Sequence, residues 1–396
     1  MGHIAHFVSQ SLKDSGDVAL GGRTKTLVPT DDRPHLDAAV WWLQESIRVH
    51  GSEGSAHSYR IAKGWMPPYP ETTGYILKTF LRLADVRDRE RNEAIARQLA
   101  DWLISVQMPN GGIAGYYLGK TSQPVVFNTG MVLLGFNAIF ARSRDTRYLD
   151  AARRAGDFLL GCLDDDGCFS RYNSHNLVHT YNARTAWALL ELGRISGETR
   201  YYEAGRRNLD WVLRQQAENG YFRNNAFKPG GNANSHGTSY VLEGLLQSHL
   251  LTADPAYLSA ARRTIDRVVE LYRERKWIAA ELGPDWEYRS RHICLTGCCQ
   301  MAIVLMTLYR IEPRPAYWEV ANQLLEQMKR LQNVRDRGKP YYGAIKGSHP
   351  IYGRYARLQY PNWATKFFID ALLLKAAVAR DEAASPAEAV PALAGA

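Results

Sequence analysis

The sequence predicts an all-α chain folded as one (α/α)6 toroid, a closed ring of six helical hairpins. Three observations carry that expectation. An amphipathic unit recurs along the chain, a second and almost wholly apolar unit alternates with it, and the segments joining them are by turns short and long.

The amphipathic unit reads Tyr148-Leu-Asp-Ala-Ala-Arg-Arg, then Tyr202-Glu-Ala-Gly-Arg-Arg, then Tyr257-Leu-Ser-Ala-Ala-Arg-Arg, with Tyr317-Trp-Glu-Val-Ala-Asn as a fourth copy. Its apolar residues recur three and four apart, as in Ala204, Leu209, Val212 and Leu213, so each helix has one buried stripe and one wet face. Half-exposed helices belong to an outer ring, with residues 35–50 as the first of them.

The second unit opens on a small polar cluster and continues as a nearly unbroken apolar run. Glu71, Asn128, Asn182, Gly237, Thr296 and Asn362 fall into one register, 57, 54, 55, 59 and 66 residues apart. Segments such as 131–140 and 302–308 are apolar all round, as helices enclosed by other helices must be. A fixed period of this kind marks a repeat architecture. The repeat has no internal break, which assigns residues 35–380 to one toroidal domain, 1–34 to an N-terminal extension and 381–396 to a disordered Ala/Pro/Glu tail.

The joints place the function. Inner helices reach outer ones through a few residues, whereas the outer-to-inner passage takes some 21 residues, as from Gln107 to Asn128. Long ordered loops in a compact domain are usually functional, and all six end where inner helices begin. One rim of the ring therefore carries them. Within them Asn110-Gly, Asp166-Gly and Asn219-Gly signal tight turns.

Five cysteines are too few and too odd for a disulfide framework and fit a reducing compartment. No run approaches the ~20 apolar residues that cross a bilayer, and the N-terminus lacks a secretory pattern; a soluble, cytoplasmic protein is expected, with no membrane partner and an oligomeric state left open. The net charge of +9 is spread over amphipathic helices without a basic block. That disfavours nucleic acid and favours an acidic small or polymeric ligand.

At or just before the inner helix starts stand Trp65, Tyr69, Glu71, Tyr75, Asn128, His175, His179, Tyr181, Asn182, Arg184, Asn234, His236 and Tyr240. The later repeats add Asp285, Glu287, Arg289, Arg291, His292, His349, Tyr352, Arg354, Tyr355, Arg357, Asn362 and Trp363. Aromatic faces beside hydrogen-bonding and cationic groups suit sugar rings. Helix N-termini attract anions, and guanidinium pairs with carboxylate in two-pronged fashion, so a uronate-bearing saccharide is the expected substrate. A hydrocarbon-binding toroid, as in terpene cyclases, would not carry so polar and His-rich a rim.

In repeat pattern and rim composition, residues 35–380 resemble the carbohydrate-active enzymes built on an α/α toroid, which include polysaccharide lyases and glycoside hydrolases. The resemblance implies a saccharide cleft across the inner helix starts and two candidate chemistries. In the lyase pattern, Asn and Arg neutralise the uronate, a His or Tyr takes the C5 proton and a Tyr protonates the leaving oxygen. Here His179 or His236 would be the base and Tyr181 or Tyr240 the acid, with Asn128, Asn182, Arg184, Trp65, Arg289, Arg291, Tyr352, Arg354, Tyr355, Asn362 and Trp363 binding substrate. In the hydrolase pattern two carboxyl groups flank the scissile bond, which would pair Glu71 with Asp285 or Glu287. A non-catalytic saccharide-binding or scaffold role is the third reading.

Each feature also has a plain explanation. Asn128, Asn182, Asn234 and Asn362 suit helix caps, the aromatic residues could simply fill the ring's centre, and a Glu in a first helical turn is favoured by the dipole. No cofactor is expected. Zinc on Cys294, Cys298 and Cys299, which similar toroid enzymes imply, competes with ordinary burial of cysteine, and the aspartates at 164–166 read as a solvated turn rather than a calcium site.

Overall fold

The computed structural model describes residues 2–22, 27–51 and 53–384, with side chains described for residues 8–22, 27–51 and 53–381. In chain order its helices are α1 (Gly2–Ala19), α2 (Arg33–Arg48), α3 (Pro70–Val86), α4 (Arg89–Val106), α5 (Val126–Ser143), α6 (Thr146–Cys162) and α7 (Ala183–Ser196). They continue as α8 (Thr199–Arg214), α9 (Ser235–Thr252), α10 (Pro255–Arg275), α11 (Leu295–Ile311), α12 (Pro315–Leu331) and α13 (Asn362–Ala384). From α2 onward the even-numbered helices form the outer ring and the odd-numbered ones the inner ring. Each inner helix packs on the next, and α13 returns against α3, which closes the (α/α)6 toroid.

The inner helices are enclosed as their composition requires: α5 is buried at every position from Val126 to Asn137. Their predicted register holds to within two residues, since Glu71 follows Pro70, Asn128 lies in the first turn of α5 and Asn362 opens α13. The last inner helix runs past residue 380 to Ala384, so the first four residues of the tail expected at 381–396 are helical, and 385–396 lie outside the described residues.

The repeated tyrosine of the outer helices stitches the ring laterally. Tyr148 donates to Asp101 at 2.9 Å, Tyr201 to Asp157 at 2.8 Å and Tyr317 to Asp266 at 2.5 Å, each reaching back to the preceding outer helix. In the second copy the buried tyrosine is Tyr201 rather than its neighbour Tyr202. A glutamine just past alternate outer helices adds a second stitch. The Gln107 amide donates to Ala151 O at 3.0 Å, that of Gln216 to Ala260 O at 2.8 Å, and that of Gln332 to His35 O at 3.1 Å.

The Asn-Gly and Asp-Gly turns prove to be packing devices. Gly111 and Gly167 have φ of +84° and +88°, and a Cβ on either would sit 2.0 or 2.2 Å from the carbonyl oxygen of Arg154 or Arg207 on the next outer helix. Glycine alone fits both demands.

On the same rim, short antiparallel pairs join neighbouring loops: Ala233–Asn234 with Glu281–Leu282, Ile293–Cys294 with Ser348–His349, and Ser58–Arg60 with Gln359–Pro361. Within the described residues of the extension, 2–22 and 27–34, a helix packs against the rim. Helix α1 docks on the segment 332–361 through Asp14, which pairs with buried Lys346 and accepts the Ile351 amide at 2.7 Å, and through Asp17, which meets His349 at 2.9 Å. Among the described residues, no helix is long and apolar enough to cross a membrane.

Candidate functional site

Five inner helix starts and the loop before the last one bring rings together at the centre of the rim. Tyr69 precedes α3, and its hydroxyl donates to Glu71 in the first turn. His57 lies 5.2 Å from Tyr69 and 4.8 Å from Trp363, whose indole N–H donates to the Tyr355 hydroxyl at 2.8 Å. Tyr355 is 5.5 Å from His236, His236 is 4.2 Å from Tyr240, and Phe127 joins Tyr240 at 4.9 Å to Tyr181 at 4.8 Å, all between ring centroids. His179 stacks on Tyr181 at 4.2 Å. Helix α11 contributes Gln300, whose side-chain oxygen accepts from His236 Nδ1.

Burial decides the ionisation of this cluster. Glu71, 9% exposed, has its carboxyl pushed up to about 7, because loss of water outweighs the Tyr69 hydroxyl and the Arg184 charge that favour the carboxylate. The helix dipole would favour the anion as well, and burial prevails over it. The same desolvation drives His236 down to about 3 and His179 down to about 4, so both imidazoles are neutral. With Nδ1–H donated to Gln300, His236 carries its lone pair on Nε2, the tautomer that can accept a proton there, while burial lowers its strength as a base.

Beneath the cluster Arg184 is wholly buried, 4.9 Å from the Tyr240 ring and 3.5 Å from Glu243. Its Nε and Nη1 have no hydrogen-bond partner. Deeper still, Lys366 and Arg82 share Asp370 at 2.8 and 2.7 Å, so an alternating column of charge fills the ring's axis rather than hydrocarbon alone.

Of the residues expected here, Glu71, Tyr181, Asn128, Asn182, Arg184, His179, His236, Tyr240, Tyr355 and Trp363 are gathered in or against the cluster. Asn182 donates to Asn173 at 3.2 Å and Asn128 to Ala114 O at 3.2 Å. Neither acts as a side-chain cap, whereas Asn234 does, accepting from the His236 amide at 3.0 Å.

The others lie elsewhere. Asp285 and Glu287 sit on a turn at the outer edge: Glu287 pairs with Arg289 and accepts the Asp285 amide at 3.0 Å, while the intervening Trp286 donates to Asn219 O at 3.0 Å on the turn packed against α10. The turn around Gly283-Pro-Asp-Trp286 thus packs on the neighbouring Asn219-Gly turn, and neither carboxyl pairs with Glu71. Trp65 stacks in a satellite core on Trp42 at 5.1 Å and Tyr59 at 5.5 Å. Arg289, Arg291 and Arg354 are exposed, Tyr352 bonds to Ser15 of α1 at 3.0 Å, and Asn362 is a fully buried brace to Ser55 and Thr72 at 3.0 and 2.9 Å.

The cysteines have packing partners. Cys294 Sγ accepts the Gly297 amide at 3.4 Å, and Cys298 and Cys299 are buried with their thiols held protonated by desolvation. Among the described residues, no three His, Cys, Asp or Glu side chains gather as a metal set. Unanticipated members are His57, Phe127, Gln300 and Phe227, whose ring lies 5.7 Å from both Tyr181 and His236. Only His57, on a long rim loop, carried a readable signal.

Alongside the cluster opens a hollow of about 570 Å³, walled by residues 116–125 and 170–176.

No protein family matches the chain in a scan of family models, and no curated protein matches it by sequence. Solved structures do. An unsaturated glucuronyl hydrolase specific for heparin superposes with a TM-score of 0.68 at 13% identity, over 88% of this chain and 99% of that one. The unsaturated glucuronyl hydrolase of Bacillus sp. GL1, responsible for glycosaminoglycan degradation, gives 0.68 at 13% identity over 86% and 96%. An alpha-amylase from Clostridium perfringens gives 0.65 at 10% identity over 88% and 99%. The chain therefore has the α/α-toroid fold found in these carbohydrate-active enzymes.

Proposed function

We propose that this chain is a carbohydrate-active enzyme that cleaves a glycosidic bond in an acidic, uronate-bearing saccharide, and that it does so by β-elimination. The observation that carries the reading is Glu71: one carboxyl group titrating near neutrality, in contact with Tyr69 and close enough to Tyr240 and Tyr181 to be felt by both, with a neutral His236 beside Tyr240. Proton transfer is what such a set does well, since a carboxyl titrating near neutrality is poised both to give and to take. His236 Nε2 takes the C5 proton, the freed electron pair forms the C4–C5 double bond, and the C4–O bond breaks. Tyr240, or Glu71 acting through Tyr69, protonates the departing oxygen. His179 and Tyr181, on the loop that leads into the neighbouring inner helix α7, are the alternative base and acid.

The solved structures that share the fold favour a second reading, hydrolysis of an unsaturated uronide, with Glu71 as the proton donor. One experiment separates the two. Purified protein is incubated with saturated and with unsaturated uronate oligosaccharides while ultraviolet absorbance and reducing ends are followed. Gain of absorbance from saturated substrate supports elimination; its loss from unsaturated substrate supports hydrolysis. Binding with neither signal overturns the enzymatic reading in favour of a binding module.

A further inference from the structure

We infer that the hollow beside the cluster is a subsite for additional rings of the same acidic saccharide, so that the protein grips a stretch of chain and not one sugar alone. The inference rests on the functional reading above and adds the length of the ligand. At about 570 Å³ the hollow has the size of a small-molecule site. Two tyrosines line it, Tyr116 and Tyr172, 43% and 46% exposed. Tyr172 leans on the edge of the core at Phe158, 5.7 Å between centroids, and both tyrosines leave much of their rings open, with flat faces that match the C–H faces of pyranoses. Gln123, Asn173, His175 and Asn176 stand around them with donors and acceptors for hydroxyls.

The backbone of this wall is held in an uncommon state. Tyr116, Tyr172, His175 and Asn176 have φ of +59°, +55°, +59° and +54°. Side-chain-bearing residues adopt that region at a cost, and such residues cluster at ligand sites. The wall is also continuous with the cluster. Ser174 O bonds His179 Nε2 at 3.2 Å, Asn173 receives the Asn182 amide at 3.2 Å, and Tyr172 O accepts the Val126 amide at the start of α5 at 2.8 Å. A saccharide lying in the hollow thus abuts the residues that hold His179 and Asn182.

Calorimetric titration of the full-length Glu71→Gln protein with a di-, tetra- and hexasaccharide series of a glucuronan tests this, with ultraviolet absorbance and reducing ends followed so that only titrations free of turnover are read. Affinity should rise with length. Tyr172→Ala, which removes an exposed ring, should weaken hexasaccharide binding about tenfold and leave the disaccharide unchanged. Asn176→Asp tolerates the same backbone and sets a like charge against the uronate, so it should weaken the hexasaccharide too. Affinity for the disaccharide without gain on lengthening, or hexasaccharide binding unaltered in both variants, overturns the subsite and leaves the functional reading intact. Failure of every saccharide to bind overturns both.

Discussion

Replacing Glu71 by glutamine keeps the shape of the side chain and removes its titration, which makes the energetic role of the buried carboxyl measurable. In the folded protein its proton is held up to about 7, against an ordinary 4.5. At about 1.4 kcal/mol per pH unit that rise amounts to about 3 kcal/mol. The sign follows from proton counting. Between pH 4.5 and about 7 the folded chain keeps a proton that the unfolded chain has released, so stability falls as pH rises through this window. Above it the full cost of a buried carboxylate is present. Glutamine carries no such cost. Urea denaturation of both proteins at pH 5 and pH 8 should therefore show the variant gaining about 2.5 kcal/mol relative to the parent on going from the acid to the alkaline condition, since part of the rise lies below pH 5. Groups that titrate equally in both proteins cancel in that difference. Parallel pH dependence would refute the claim that burial controls this carboxyl.

Other expectations follow from the same geometry. His236→Gln should flatten the loss of stability on acidification, because burial holds its proton affinity down to about 3 and the unfolded chain protonates first as pH falls below about 6.5; denaturation midpoints from pH 7 to pH 4 read this out. Tyr201→Phe removes the 2.8 Å stitch to Asp157 and should cost about 1 kcal/mol in thermal or urea unfolding. Gly111→Ala, whose Cβ would lie 2.0 Å from Arg154 O, should cost roughly 1–3 kcal/mol, more than Gly119→Ala, which meets open space at φ +80°. Asp14→Ala leaves Lys346 buried without its partner, at about 3 kcal/mol, and limited proteolysis should then cut between α1 and α2 faster than in the parent.

The ring was legible because each helix must hide a particular fraction of its surface, and 3.6-residue periodicity records that fraction directly. The inner register was equally visible: a polar start followed by an apolar run admits few alternatives in α5 or α11. The site was half legible. Glu71, His179, Tyr181, His236 and Tyr240 stand within a turn or so of an inner helix start, where geometry follows from the helix itself. Asp285 and Glu287 were misplaced because a 19-residue loop contains both an outer packing turn and an inner approach, and polar residues are compatible with either. For the same reason Trp65 falls in a satellite core and the loop arginines stand exposed outside the aromatic cluster. Tyr352 was claimed by α1, a long-range contact that no local pattern announces. Arg184 was found in place but in a different role, a buried cation beneath the aromatic layer and against Glu243, since sequence does not distinguish the floor of a site from its wall.

Isotope-labelled glutamate carboxyl NMR of the parent and the Glu71→Gln protein tests the account most directly. One resonance should titrate with a midpoint near 7, vanish in the variant, and move when a uronate saccharide is added. A Glu71 carboxyl that titrates at its ordinary 4.5 and ignores the saccharide would contradict a proton-transfer centre at the start of α3.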